Sequence, residues 1–211
     1  MNYKRVDEAL YCTILRVAYH RFRPEFVNLY IPTIIFPQSR NLLKSDIMKE
    51  KEIKTSYKEY SFDELPPEER HLVEKAKEMT RKSYAPWSKF MVGAAILLDN
   101  GEIVCGANQE NVAFPSGTCA ERSACYYAGA NHPGVPLRKI AIAARNLSKD
   151  ETLGFEESFE KTPVAPCGAC RQALIEYERL YGPIEVILYG ADSTYVIPSV
   201  SALMPFTFID F

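Results

Sequence analysis

The sequence has 211 residues, of which 47% are hydrophobic and 25% are charged. These values are those of an ordinary globular protein with one domain and some additional chain. The formal net charge is −2 and the isoelectric point is near 6.0. Because the chain has no general basic character, nucleic acid is disfavoured as a partner, and we expect a small-molecule substrate.

The first 47 residues differ in character from the rest. They mix arginines with aromatic residues, and Pro24, Pro32 and Pro37 interrupt any long helix. The apolar run 27–36 is too short to cross a bilayer, and no small-residue cleavage site follows it. We expect residues 1–47 to be an atypical extension that is poorly ordered or not native, with an extra packed helix or strand as the alternative. The folded domain is then residues 48–211.

The first predicted element of this domain is a helix. Asp63 and the proline and glutamate pairs of residues 66–69 are typical of a helix start. An apolar stripe at helical spacing follows, formed by Leu72, Val73, Ala76 and Met79. We expect the helix to end near Ser83, because Pro86 follows.

Strands and helices alternate in the remainder of the domain. Residues 92–98 and 103–107 are predicted to form a hairpin around the turn sequence Asp99-Asn100-Gly101. Two later strands each follow a helical segment: helix 119–129 precedes strand 139–144, and helix 167–177 precedes strand 184–189. The link at residues 190–193 is too short for a crossover helix, so the fifth strand, 195–197, must pair antiparallel. The pattern predicts a three-layer α/β/α sandwich with a mixed five-stranded sheet.

Two cysteine motifs lie at the predicted starts of the two later helices. The first contains Cys119 and Glu121, and the second contains Cys167 and Cys170. Three thiolates would fill three corners of a zinc tetrahedron and leave the fourth for water, as in catalytic zinc sites. A nearby carboxylate can then carry protons to and from the reacting groups. Helix N-termini suit these residues, because their N–H groups and dipole stabilise thiolates.

Two arginines adjoin these motifs. Arg122 follows Cys119 by about one helical turn, and Arg171 is next to Cys170. We expect their guanidinium groups to donate hydrogen bonds to the sulfurs and so reduce the negative charge around the metal. Ordinary surface ion pairs are the alternative.

The cysteines also allow other interpretations. A disulfide framework requires a secretory signal, which is not convincing here, so we expect a cytoplasmic protein. A lone CxxC also occurs in thioredoxin-like redox sites, and a structural zinc site with Cys105 or Cys125 as fourth ligand is possible. Otherwise Cys12, Cys105 and Cys125 are small buried hydrophobic residues.

From roughly residue 57 to residue 211 the chain resembles the cytidine deaminases that act on free pyrimidine nucleosides. The motifs that carry the resemblance are YAPWSKF at 84–90, VGAA at 92–95, GANQEN at 106–111, FPSGTCAER at 114–122 and PCGACRQ at 166–172. The three-cysteine pattern with a separate glutamate is that of the zinc deaminases. The resemblance implies hydrolytic deamination of cytidine and 2′-deoxycytidine, with release of ammonia, at a bound Zn²⁺.

The resemblance also implies a role for each matching residue. Glu121 matches the proton shuttle, and the zinc ligands match Cys119, Cys167 and Cys170. The substrate residues are Phe90 against the pyrimidine, Asn108 and Glu110 at the ribose hydroxyls, the backbone of Ala120 at the base, and Phe114 near the entrance. Phe114 stands where tyrosine is common, which removes a hydroxyl.

Family members with this motif are usually homotetramers in which a C-terminal phenylalanine reaches a neighbouring site. Phe208 best matches that residue, and Phe206 is the competitor. The acidic stretch 146–164 is longer than usual and is expected to rim the site or the tetramer surface. The rival functions are a deaminase of a modified cytosine nucleoside, such as the blasticidin type, and a non-catalytic assembly module with structural zinc.

Overall fold

The computed structural model of the chain describes residues 50–148 and 150–209. Six strands form one sheet: β1 (Lys58–Tyr60), β2 (Phe90–Leu98), β3 (Ile103–Ala107), β4 (Leu137–Asn146), β5 (Glu185–Tyr189) and β6 (Thr194–Ile197). Their order across the sheet is β1-β6-β5-β4-β2-β3. Strands β4 and β5 are parallel and the other neighbours are antiparallel, so the sheet is mixed, as predicted.

Among the described residues, three α-helices cover the two faces of this sheet: α1 (Pro67–Met79), α2 (Ala120–Asn131) and α3 (Gly168–Tyr181). Successive strand residues alternate between the faces. Ile140 and Ile142 belong to the core cluster under α2 and α3, whereas Ala141 and Ala143 belong to the cluster under α1. The predicted α/β/α layering is therefore confirmed.

The sequence signals at the helix starts operate as predicted. Pro67 is the first residue of α1, and Glu68 and Glu69 lie in its first turn. Cys119 and Cys167 have extended backbones and immediately precede α2 and α3. The two cysteine helices run a few residues beyond their predicted ends, and a glycine with φ of +96°, Gly182, terminates α3.

The predicted count of five strands is wrong by one. The additional strand β1 pairs antiparallel with β6, with Lys58 opposite Val196 and Tyr60 opposite Thr194. Lys58 and Glu59 are exposed, so the strand has no buried alternation that would reveal it in the sequence. It forms because β6 would otherwise leave its ladder unpaired, and Tyr57 adds a ring contact to Tyr195 at 4.6 Å.

Gly106 allows the first cysteine motif, which contains Cys119 and Glu121, to lie close to the sheet. A Cβ on Gly106 of β3 would lie 2.5 Å from the carbonyl oxygen of Ala120 and 2.5 Å from the backbone nitrogen of Ala124. Only a residue without a side chain permits this approach. The first turn of α2, which carries Cys119 and Glu121 at its start, is thus packed directly against the sheet.

Two other predictions concern segments outside these elements. The predicted extension 1–47 lies outside the described residues, so the boundary at residue 48 stays a prediction. The acidic stretch after β4 places Phe155 and Phe159 in or against the core cluster under α1, and only its end, at Val164, borders the cavity. Its predicted place at a tetramer surface stays a prediction. Within the described ranges, no helix is long and apolar enough to cross a membrane.

Candidate active site

Three cysteine sulfurs converge where α2 and α3 begin. The sulfur of Cys119 lies 3.9 Å from that of Cys167, which lies 3.4 Å from the sulfur of Cys170. All three lie within 4.8 Å of one another. They form the one group of three or more potential metal ligands found in residues 50–148 and 150–209.

The spacing of these sulfurs suits Zn²⁺. Zn–S bonds of about 2.3 Å in a tetrahedron separate two sulfurs by about 3.8 Å, which falls between the 3.4 and 3.9 Å separations of the sulfurs here. Neither Cys105 nor Cys125 belongs to the group, so the alternative with either as fourth ligand is wrong. Cys125 is fully buried, and burial raises the pKa of its thiol to about 12. A donor set of three thiols is the kind that zinc binds when one position stays open.

Hydrogen bonding prepares Cys119 to carry negative charge. The hydrogen bond from the Cys170 thiol, aided by the guanidinium of Arg122, lowers the pKa of Cys119 to about 5. Nη2 of Arg122 lies 3.9 Å from the Cys119 sulfur, as the predicted guanidinium–sulfur contact requires. The same hydrogen bond to Cys119 raises the pKa of Cys170. Cys119 therefore loses its proton more readily than an ordinary thiol.

Arg171 does not make the predicted sulfur contact. Its Nε donates to the carbonyl of Pro166 at 2.8 Å, and Nη1 donates to the carbonyl of Leu203 at 2.8 Å. The side chain therefore connects the start of α3 to the C-terminal turn. The expected hydrogen bond to a sulfur is replaced because two backbone acceptors lie within its reach.

Glu121 is the second residue of α2 and only 4% of its surface is exposed. It lines the same cavity as Cys119 and Cys167. Burial, together with the negative charge of Cys119, raises the pKa of its carboxyl above the ordinary value. A carboxyl group that binds a proton more readily than usual, next to a metal-binding group, is suited to accept and return protons.

The cavity has a volume of about 810 Å³. It brings together most of the residues that were predicted to act in the site. Those that line it are Phe90, Asn108, Glu110, Phe114, Cys119, Glu121, Arg122 and Cys167. Of the remaining four, Ala120 and Cys170 are fully buried, and Arg171 and Phe208 do not line the cavity.

Asn108 and Glu110 are both fixed by the backbone around β2. Asn108 accepts the N–H of Val92 at 2.8 Å and donates to the carbonyl of Phe90 at 2.9 Å. Glu110 accepts the N–H of Trp87 at 3.0 Å and that of Ser88 at 3.3 Å. A hydrogen bond from the Ser88 hydroxyl, with these two N–H groups, lowers the pKa of Glu110. Each side chain keeps further hydrogen-bonding capacity for a ligand.

Ten further cavity residues were not singled out from the sequence, and four of them lie outside the elements and motifs that carry the predicted site residues or at their margin. Trp87 and Ser88 line the cavity on one side, and Val164 and Ala165 line it just before Cys167. The first two belong to the motif at 84–90, which was the available signal. The other two lie at the end of a long acidic stretch whose path no local pattern reveals.

Phe114, predicted near the entrance, and the phenylalanines predicted to reach a neighbouring site are exposed. Phe114 is 79% exposed at the cavity, and Phe208 is 68% exposed with its carbonyl accepting from Nε2 of Gln172 at 2.7 Å. Phe206, the competing residue, is 85% exposed.

Comparison with known proteins agrees with this geometry. Residues 66–181 match the family model described as the cytidine and deoxycytidylate deaminase zinc-binding region. A cytidine deaminase of Sporosarcina psychrophila is 35% identical over 138 residues, which cover 65% of this chain and 88% of that protein. One of Halalkalibacterium halodurans is 34% identical over 107 residues, covering 50% of this chain and 68% of that protein.

A solved structure shares the fold. The crystal structure of cytidine deaminase from Burkholderia pseudomallei superimposes with a TM-score of 0.52 at 34% sequence identity, covering 65% of this chain and 97% of that chain. The matched region includes both cysteine motifs and the buried glutamate. The chain belongs to the cytidine and deoxycytidylate deaminase family.

Proposed function

We propose that this protein is a zinc-dependent cytidine deaminase. It converts cytidine and 2′-deoxycytidine to uridine and 2′-deoxyuridine, and ammonia is released. The observation that carries the proposal is the group of three sulfurs sharing one cavity with the buried carboxyl of Glu121. Relatives that are named cytidine deaminase support the choice of substrate.

Cys119, Cys167 and Cys170 are proposed to hold the zinc ion. The chemistry that zinc supplies when bound is Lewis acidity, which makes water a nucleophile at neutral pH. The guanidinium of Arg122, 3.9 Å from the Cys119 sulfur, offsets part of the negative charge of three thiolates. Arg171 contributes by anchoring the start of α3 through Pro166, so its effect on the sulfurs is indirect.

Glu121 is proposed to move the protons of the reaction. It accepts a proton from the water that attacks C4 of the base, and it delivers a proton to N3. The carboxylate then takes the remaining proton of the new C4 hydroxyl and passes it to the amino group, so that the C4–N bond breaks, the C4 carbonyl forms and ammonia leaves. The raised pKa of the buried carboxyl supports this role, because a shuttle must both accept and release a proton near neutral pH.

Other residues of the cavity are proposed to bind the nucleoside. Asn108 and Glu110 bind the ribose hydroxyls with an amide and a carboxylate, the groups that suit a diol. Phe90 packs on the pyrimidine ring, and the backbone of Ala120 pairs with the base. Phe114 borders the entrance. The fixed orientations of Asn108 and Glu110 support this assignment, since little side-chain entropy remains to be lost on binding.

We further propose a cytoplasmic homotetramer in which Phe208 completes a neighbouring site. Its support is an unusual exposure of aromatic side chains on the single chain, including Phe114, Phe206 and Phe208. Exposed apolar groups of this size are typical of surfaces that bind other proteins. The proposed compartment rests on the use of cysteine thiols as metal ligands, which requires them to stay reduced.

The test is the loss of cytidine absorbance in the presence of purified protein of known zinc content. Deamination of cytidine and deoxycytidine, with cytosine lacking a sugar turned over far more slowly, is expected. Including blasticidin-type nucleosides in the panel addresses the rival substrate class. A zinc-loaded protein that deaminates nothing in the panel would favour a structural zinc module and contradict the proposal.

A further inference from the structure

The segment that follows β4 begins beside a residue that lines the cavity, and near its end it lines the cavity itself. At its start, the N–H of Leu147 donates to the carbonyl of Lys89 at 3.0 Å, next to Phe90. At its end, Val164 and Ala165 line the cavity two residues before Cys167. The middle of the segment is packed on the face of the sheet that carries α1.

Lys77 of α1 fastens that middle part. Its ammonium lies 4.9 Å from the ring centroids of Phe159 and Tyr189, and 5.3 Å from that of Phe62. Nζ also lies 2.6 Å from the carboxylate of Glu156. The side chain of Lys77 is only 12% exposed. Cation–π contacts strengthen when the cation is shielded from water, so this lysine holds the segment more firmly than a surface ion pair can.

Phe155 supplies a second attachment. Its ring lies 3.5 Å from the guanidinium carbon of Arg81 and 4.7 Å from that of Arg145. It also meets the ring of Phe159 edge-on at 5.1 Å. Nε of Arg145 donates to the hydroxyl of Ser158 at 2.7 Å. The attachment therefore combines stacked charge, ring contact and a hydrogen bond.

Backbone hydrogen bonds also hold the residues that lie between this attachment and the cavity. The N–H of Glu160 donates to the carbonyl of Ala144 at 2.9 Å, so the segment continues the ladder at the end of β4. The carbonyls of Glu160 and Lys161 then accept the N–H groups of Ala191 and Asp192 at 2.9 and 3.0 Å. Hence the backbone of residues 160–161 is held at the end of β4 and just after β5. These contacts lie a few residues before Val164 and Ala165, which form one wall of the cavity.

A glycine confirms how close this contact is. A Cβ on Gly190 would lie 2.5 Å from the carbonyl oxygen of Lys161 and 2.7 Å from the nitrogen of Pro163. The turn after β5 therefore lies directly against residues 161–163, and any residue larger than glycine would push them away. Val164 and Ala165 come directly after Pro163 in the chain, so a displacement of residues 161–163 would also displace them.

We propose that residues 155–163 form a brace, fastened by Lys77, that positions the Val164–Ala165 wall of the cavity. Lys77 is then a positioning residue for substrate binding, acting through the brace from the opposite face of the sheet. The kinetic part of the proposal rests on the proposed deaminase function. The structural part concerns the mobility of the wall and does not depend on any substrate.

The test compares Lys77→Met with Lys77→Arg and with Lys75→Met. Methionine keeps the aliphatic volume and removes the charge, arginine keeps a cation for the rings, and Lys75 is an exposed lysine on the same helix. Three quantities are measured on the zinc-loaded protein: amide hydrogen exchange of residues 158–165, the KM and kcat for cytidine, and the zinc content.

For Lys77→Met we expect exchange of residues 158–165 to be about tenfold faster, since local opening becomes easier. KM should rise about fivefold to tenfold with kcat nearly unchanged, because the wall contributes binding rather than proton transfer. Zinc content should stay at the wild-type value, Lys77→Arg should restore most of the KM, and Lys75→Met should resemble wild type.

Two results would overturn the brace. Exchange of residues 158–165 that equals the Lys75→Met value would show that Lys77 does not fasten the segment. Faster exchange with an unchanged KM would show that the segment does not position the wall.

If Lys77→Met does not fold, Glu156→Gln replaces it, because that carboxylate is exposed. Exchange and KM should then change in the same directions, but only by about twofold. A wild-type protein without deaminase activity refutes the proposed function, whereas the exchange result still decides the brace.

Discussion

The sulfur atoms of Cys119 and Cys167 lie 3.9 Å apart, although 48 positions separate the two residues in the sequence. Each cysteine immediately precedes a helix, α2 in one case and α3 in the other. The two helix N-termini therefore meet at one point, where their N–H groups and dipoles favour negative charge.

Replacing Cys167 by alanine should abolish stable zinc binding. Two thiols cannot complete a site of this kind, so we expect the zinc content to fall close to zero. The deamination rate should fall by more than the ~10–100-fold seen when a group that merely orients a ligand is removed. Atomic absorption and the cytidine assay measure both effects. Cys105→Ala is the matched control, since Cys105 lies outside the sulfur group; full zinc content in Cys167→Ala would contradict the ligand assignment.

Replacing Glu121 by glutamine should leave zinc in place and remove most of the activity. Glutamine has nearly the same volume and suits the buried position, but it cannot accept a proton. We expect kcat/KM for cytidine to fall by about 10²–10⁴. Zinc content serves as the internal control. A variant with near-normal turnover would show that another group moves the protons.

The Glu110→Gln variant tests the recognition of the sugar. The carboxylate is proposed to accept a hydrogen bond from a ribose hydroxyl, and a hydrogen bond to a charged group is worth about tenfold to hundredfold in binding. We expect KM for cytidine to rise by this factor, while the slow turnover of free cytosine stays unchanged. Glu74→Gln, an exposed position on α1, is the control. Equal losses on both substrates would contradict a role at the ribose.

The pH dependence of KM should reveal how Glu110 is held. The Ser88 hydroxyl above all, together with the N–H groups of Trp87 and Ser88, lowers the pKa of Glu110 below the ordinary value of 4.5. The carboxylate thus stays ionised at and above that pH, and its contribution to binding is lost only as pH falls through the lowered pKa. We expect KM to rise below pH 4.5, and Ser88→Ala to move the rise to higher pH. Profiles that coincide for the two proteins would count against this network.

Exchanging the C-terminal phenylalanines for alanine tests the proposed tetramer. Phe208→Ala should reduce kcat/KM by about tenfold, the loss expected for a buried aromatic at an interface, if this ring completes a neighbouring site. Phe206→Ala is the matched control and should have a smaller effect. Light scattering of all three proteins gives the oligomeric state. A monomeric protein with full activity would refute the shared site.

Local signals were sufficient for the elements that carry the site. Proline and acidic residues marked the start of α1, and the two cysteine motifs coincide with the starts of α2 and α3. The turn at residues 99–101 fixed the pairing of β2 with β3. These features depend on a few neighbouring residues, so the sequence alone is enough to place them.

Contacts between distant segments could not be predicted in this way. Arg171 donates to Leu203, 32 residues away, and the buried Glu178 accepts N–H groups from Ile184, Val200 and Ser201. Such partners are set by where the chain returns in space. Strand β1 was missed for the same reason, because its exposed residues are held only by the edge of β6.

The convergence of α2 and α3 on one group of sulfurs has a consequence for folding. In the unfolded chain the cysteines are scattered, so a metal ion that engages all of them binds the native state preferentially. The ion then acts as a cross-link that joins two helices distant in sequence, and the midpoint of thermal unfolding rises with the concentration of free metal. We therefore expect chelation to lower the resistance of the protein to heat and proteolysis, so that the supply of the ion sets the lifetime of the folded protein as well as its rate of deamination.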